Sequence, residues 1–149
     1  MVTESSLNKD ILEMLQKIPV GDKVSIKEIS TWTGKDHATI YLHIGTMENV
    51  GVVYVERGGR EKRVRLLRRE NTEELLSFIK TCQEFGLTDV DVKILESGEE
   101  DPVKINEKTK ILLNVVGLHK EYIKKKAGAS TLWEARTKIF GETRIPAYS

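Results

Sequence analysis

From Arg57 to Arg69 the chain carries Arg57, Arg60, Lys62, Arg63, Arg65, Arg68 and Arg69 against the lone carboxylate of Glu61. Guanidinium groups pair with phosphate through two parallel hydrogen bonds and also suit a narrow minor groove, so this density is what a nucleic-acid backbone calls for. Arg57 and Arg60 flank Gly58-Gly59, where only backbone limits approach to a groove. Lys27 and Lys35 lie at or near helix starts and add to the same charge. Contacts of this kind supply affinity and salt dependence without sequence information.

Other chemistries find less support. His37, His43, His119 and Cys82 have no metal-ligand spacing, so no metal site is expected. The chain has no phosphate-cradling glycine loop, no Gly-x-Ser-x-Gly and no Cys-His arrangement beside a base. Asp91-Val92-Lys93 after Asp89 has the Asp-x-Lys form of metal-dependent nucleases, but any alternating strand with charged outer positions produces it. No catalytic residue and no cofactor is expected, and the chain reads as a non-enzyme.

The bulk properties set bounds. With 149 residues, 39% of them hydrophobic and 32% charged, the chain suits one ordinary domain or two small ones sharing a core. The net charge of +1 gives no global basicity, so the case for nucleic acid rests on where the charge sits. No apolar run approaches the roughly 18 residues of a membrane span. The first residues lack the basic and apolar regions of a signal peptide, and the single Cys82 allows no internal disulfide. The expected location is cytoplasmic.

The elements that must position the cations follow from periodicity. Leu7, Ile11, Leu15 and Ile18 predict a helix over 7–18, broadened by Leu12 and Met14 and capped by Ser6 or Asn8. Lys23–Ile26 alternates as a short strand. Lys27–Gly34 reads as a helix ended by its glycine, and 35–51 as a second helix with Asp36 as N-cap. In that helix Ile40, Ile44 and Met47 share the core side, with Ile29 and Trp32 of the preceding helix placed to meet them. Its opposite face carries Ala38, Leu42 and Gly45, flanked by Thr39, Tyr41 and Thr46, with Lys35 and His37 at the N-terminal end. Val52–Glu56 and Lys62–Leu66 alternate around the glycine turn: Val53, Val55, Val64 and Leu66 face inward, Arg63 and Arg65 outward.

This succession resembles the ArsR, MarR and PadR-like winged helix-turn-helix regulators over roughly residues 7–70. The resemblance rests on the Lys27-Glu28-Ile29 opening, Ala38-Thr39-Ile40, the Met47–Val53 exit and the Arg60–Leu66 return strand. It implies that helix 36–49 enters a major groove while the 57–63 wing meets minor groove or backbone. The expected DNA contacts are Lys27, Lys35, His37, Ala38, Thr39, Tyr41, Leu42, Thr46, Arg57, Arg60, Lys62, Arg63 and Arg65. Such families often place Arg, Gln, Ser or Asn on the reading face. Here Ala38, Leu42 and Gly45 stand there, so base readout rests on thymine-methyl contacts and on Thr39, Tyr41 and His37.

The remainder, 71–149, is expected to be a mainly helical dimerisation or interaction region. Asn71 or Thr72 caps a helix with the stripe Leu75, Phe78, Ile79, Cys82 and Phe85, in which Cys82 is a buried small hydrophobe. Asp89–Leu95 alternates and predicts one strand. A long helix is expected over 106–127, on which Ile111, Leu112, Val115, Val116, Leu118, Tyr122 and Ile123 span an apolar arc wider than one packing face needs. That excess predicts a homodimer through this helix. Ser130 would cap a last helix over 131–140. The fold class is thus α+β, an N-terminal winged helix-turn-helix (1–70) followed by a mainly helical region with one strand. The function is expected to be that of a dimeric transcriptional regulator binding double-stranded DNA. A winged-helix protein-interaction module and a sequence-independent chromosome or replication-associated DNA binder are the alternatives, with a protein partner through the C-terminal half.

Overall fold

The computed structural model describes residues 4–141 and 145–146. It is α+β, helices with a small antiparallel sheet, and it divides into two compact units. One comprises the residues up to Ile79 together with Pro146, the other Lys80–Ile145.

The first unit begins with α1 (Glu4–Gln16), whose Leu7, Ile11, Leu12 and Leu15 are buried. The strand β1 (Val24–Ser25) leads directly into α2 (Ile26–Thr33). Ser25 caps α2, its hydroxyl accepting from the Glu28 N–H at 3.1 Å, and Gly34 ends it at φ 72°, where a side chain would be strained. Asp36 caps α3 (His37–Asn49) by accepting from the Thr39 N–H at 2.8 Å. After Gly51, β2 (Val53–Glu56) and β3 (Arg63–Leu66) pair antiparallel with Val53 opposite Leu66, Tyr54 opposite Arg65, Val55 opposite Val64 and Glu56 opposite Arg63. β1 joins the other edge of β3, giving the order β1-β3-β2. Val53, Val55, Val64 and Leu66 are buried, as their period of two requires.

Three readings need correction in this unit. α1 begins at Glu4, so neither Ser6 nor Asn8 is its N-cap; Asn8 is buried, and its Oδ1 meets His43 Nδ1 at 2.8 Å. Trp32 is half exposed, at 50%. The inner side of α2 is filled by Ile26 and Ile29, and Thr33, four residues beyond Ile29, folds its hydroxyl onto the Ile29 carbonyl at 2.8 Å. Arg68 is fully buried, donating to the Pro146 carbonyl at 2.7 Å with its guanidinium over the Phe78 ring, and is no part of an exposed basic face.

The helix α4 (Thr72–Phe85) starts on Asn71, whose Oδ1 accepts from the Glu74 N–H, and buries Leu75, Phe78, Ile79 and Cys82 as expected. In the second unit the predicted strand at 89–95 is instead the helix α5 (Asp89–Glu96). Asp91 reaches back to accept from the Thr88 N–H at 3.0 Å, satisfying a donor that a helix start would leave orphaned, and Lys93 pairs with Asp89 four residues earlier. The expected helix over 106–127 is two, α6 (Pro102–Thr109) and α7 (Leu113–Ala127). Lys110 adopts a left-handed backbone at φ 64°, and the Asn106 side chain donates to the Ile111 carbonyl at 2.7 Å, so the chain turns there instead of continuing. α8 (Leu132–Phe140) is capped by Thr131, not Ser130, through the Glu134 N–H at 3.0 Å.

The Lys110 strain gives a direct test. Lys110→Gly removes a left-handed penalty of roughly 1–2 kcal/mol, offset by about 0.5–1 kcal/mol of unfolded-chain entropy. Its urea midpoint should therefore rise modestly with the slope unchanged, and a fall would mean that the Lys110 side chain outweighs its backbone.

Candidate nucleic-acid interface

Burial of one side of α3 dictates what its other side presents. Ile40, Ile44 and Met47 are buried, with α3 packed on α1, α2 and β2. At about 100° per residue, Ala38, Leu42, Gly45 and Asn49 fall within about 60° of one another, opposite that stripe. All four are exposed, Leu42 at 69%, and a Cβ added at Gly45 would meet nothing within 4 Å. Tyr41 (39% exposed) and the half-buried Thr39 and Thr46 flank them. Thr46 spends its hydroxyl on the Leu42 carbonyl at 3.1 Å. His37 is exposed at the start of the helix beside the half-buried Lys35, and Lys27 is exposed on α2.

The hairpin brings its cations to the same unit. Arg60, Lys62 and Arg63 are exposed and carry no ion pair among the described residues, while Arg65 is half-buried. The Lys62 ammonium stands 4.7 Å from the centre of the Tyr41 ring, linking the hairpin to the exposed side of α3. Arg65 lies over Tyr54, its cross-strand neighbour, at 5.6 Å. Arg69 is turned inward, donating to the Ile18 carbonyl at 3.0 Å, so the run from Arg57 to Arg69 divides into hairpin cations and two structural arginines, Arg68 and Arg69.

Arg57 differs from its neighbours. Its guanidinium donates from both terminal nitrogens to both Glu48 oxygens, each at 2.6 Å. The pair joins the foot of the hairpin to the last turn of α3. The Arg57 hydrogen bonds hold the Glu48 carboxyl below the usual glutamate range, and Glu48 in turn raises Arg57. Asp36 is lowered in the same sense by the Thr39 hydrogen bonds. No short-range spacing rule joins residues nine apart, so Glu48 carries no sequence signal for this role. Lys23 and Glu56, the residue before Arg57, form a second ion pair.

The second unit holds the residues expected at a dimer contact. Val116 and Ile123 are fully buried in their own unit, and Val115 and Ile111 half-buried. Leu112, Leu118 and Tyr122 are exposed at 68%, 72% and 51%. Leu118 and Tyr122 are four apart and share a face of α7, whereas Leu112 precedes the helix as its N-cap. Asp91, expected on a strand surface, is buried; it accepts from the Thr88 N–H, and its Oδ1 lies 2.6 Å from His119 Nδ1. No group of three metal-binding side chains is found among the described residues. No protein-family model, curated protein or solved structure matches the chain.

The Glu48–Arg57 pair has a defined pH signature. A carboxyl depressed in the folded state adds stability above its unfolded pKa and loses it as pH falls through the folded value. Glu48→Gln should therefore lower the denaturant midpoint at neutral pH, and the gap from the parent should close as pH falls below the ordinary glutamate range. A gap unchanged down to acid pH would show that the ionised pair contributes nothing.

Proposed function

We propose that the first unit is a winged helix-turn-helix and that the protein binds double-stranded DNA as a dimeric transcriptional regulator. The observation that carries this reading is an exposed face of α3 adjoined by exposed hairpin cations, Arg60, Lys62 and Arg63, of which Lys62 stands over the Tyr41 ring. A helix that buries one stripe and leaves the other bare beside a basic hairpin fits a major groove, with the hairpin on minor groove or phosphate. The order of α1, β1, α2, α3, β2 and β3, with β1 closing the sheet against β3, supports the same reading. Lys62 on the Tyr41 ring, Thr39 and His37 complete the proposed contact set. Arg57 serves it by holding the hairpin.

Dimerisation is proposed through the exposed part of α7, Leu118 and Tyr122, with Leu112 beside it. A symmetric pair would then read half-sites about one helical turn, some 34–36 Å, apart. A second reading is favoured by Leu42 and Tyr41, whose exposed apolar surface also fits a protein partner's groove. It predicts little duplex affinity even at low salt.

Fluorescence anisotropy over a salt series decides between them. Arg60→Ala with Arg63→Ala should weaken binding to all duplexes alike and flatten the logarithmic salt slope by about two units. An unchanged slope would remove the hairpin from the interface. In sedimentation, the parent should be a dimer at micromolar concentration and Leu118→Glu a monomer; a monomeric parent refutes the α7 contact.

A further inference from the structure

We infer, resting on the DNA-binding reading above, that the exposed side of α3 selects duplexes by the C5-methyl groups of their pyrimidines, whether thymine or 5-methylcytosine. Hydrogen-bonding readout of a base edge needs a donor or acceptor that reaches it, typically an arginine, lysine, asparagine or glutamine. The middle of the outward face has none: Ala38, Leu42 and Gly45 occupy it, and Asn49 stands only at the exit of the helix. The flanking hydroxyl of Thr46 is already given to the Leu42 carbonyl. What the middle of this surface offers a groove is therefore the Leu42 side chain, 69% exposed, with small Ala38 and Gly45 on either side that let the helix come close, while Thr39, Tyr41 and His37 stand at its margins.

A leucine between two small residues matches a feature that protrudes from the groove floor and needs no hydrogen bond. In the major groove that feature is the methyl on pyrimidine C5, which thymine carries and cytosine lacks unless it is methylated. The occupant is DNA and not an apolar protein groove because of what surrounds the patch. Lys62 lies on Tyr41 at its edge, and Arg60 and Arg63 are exposed on the hairpin, Arg63 opposite Glu56, so the patch is bordered by an excess of positive charge that an uncharged partner would leave unanswered. A polyanion answers it.

The test uses the full-length chain with three pools of the same random-sequence duplex: one with thymine, one with uracil in its place, and one with thymine and 5-methylcytosine. Each methyl buried against Leu42 should contribute about fourfold in affinity. The uracil pool should bind several-fold more weakly than the thymine pool, and the methylcytosine pool more tightly. In Leu42→Ala these differences should shrink toward unity while the salt slope stays. Equal, salt-dependent binding of the parent to all three pools overturns the inference and leaves the DNA-binding reading standing. Discrimination that survives in Leu42→Ala also overturns it, because the methyls would then act through duplex stiffness. No binding to any pool at low salt overturns both.

Discussion

Everything proposed for the first unit depends on keeping one stripe of α3 out of water. Ile40, Ile44 and Met47 are each 2% exposed or less, and burying each such side chain is worth about 1.5–3 kcal/mol. With α1, α2 and β2 all packed on the same helix, its rotation about its own axis is not free. Turning it to offer Leu42 to the interior would expose those three side chains. The bare outer face is thus the geometric complement of the core. His43 sharpens the constraint, since its Nδ1 is matched to Asn8 Oδ1 inside an otherwise apolar contact of α1 with α3. A slip of either helix would strand two buried polar groups, each costing about 1–3 kcal/mol, so that contact favours one register.

The parts legible in the sequence are those in which period and punctuation agree. The Asp36-capped helix, the glycine-turned hairpin and the stripe of α4 each combine a clean repeat with a cap or glycine at the right place, whereas the helix expected over 7–18 rests on its stripe alone and begins at Glu4. Val53, Val55, Val64 and Leu66 face inward because alternation leaves no other solution. By the same rule Arg63 and Arg65 point outward, and the structure has Arg63 exposed and Arg65 half-buried over Tyr54.

The failures have separate physical causes. Val90, Val92 and Ile94 alternate like a strand, but Val92 and Leu95 are also three apart, and the Thr88-to-Asp91 spacing of a helix start decides for helix. Lys110 turns left-handed with no glycine or proline to announce it, and the asparagine that closes the turn sits four residues earlier. Trp32 and Arg68 invert the ordinary expectation, the ring outside and the guanidinium inside, because Ile26 and Ile29 form the buried side of α2 and the Phe78 ring with the Pro146 carbonyl receives the arginine. Long-range partners of this kind leave no trace in local spacing.

The Glu48–Arg57 clamp bears on the speed and cost of encounter. A hairpin hinged at its foot would sample many attitudes and would have to be frozen when a partner arrived, at about 0.5–1.5 kcal/mol for each long side chain immobilised. Here the root is already tied to the end of α3 by two hydrogen bonds, so that ordering belongs to folding, before any encounter. The exposed tip from Gly58 to Glu61 lies beyond that tie, and at Lys62 the chain is held again, its carbonyl accepting from the Ile26 N–H. Whatever meets this surface therefore finds helix and hairpin at a preset spacing, and a target whose own spacing differs must itself deform.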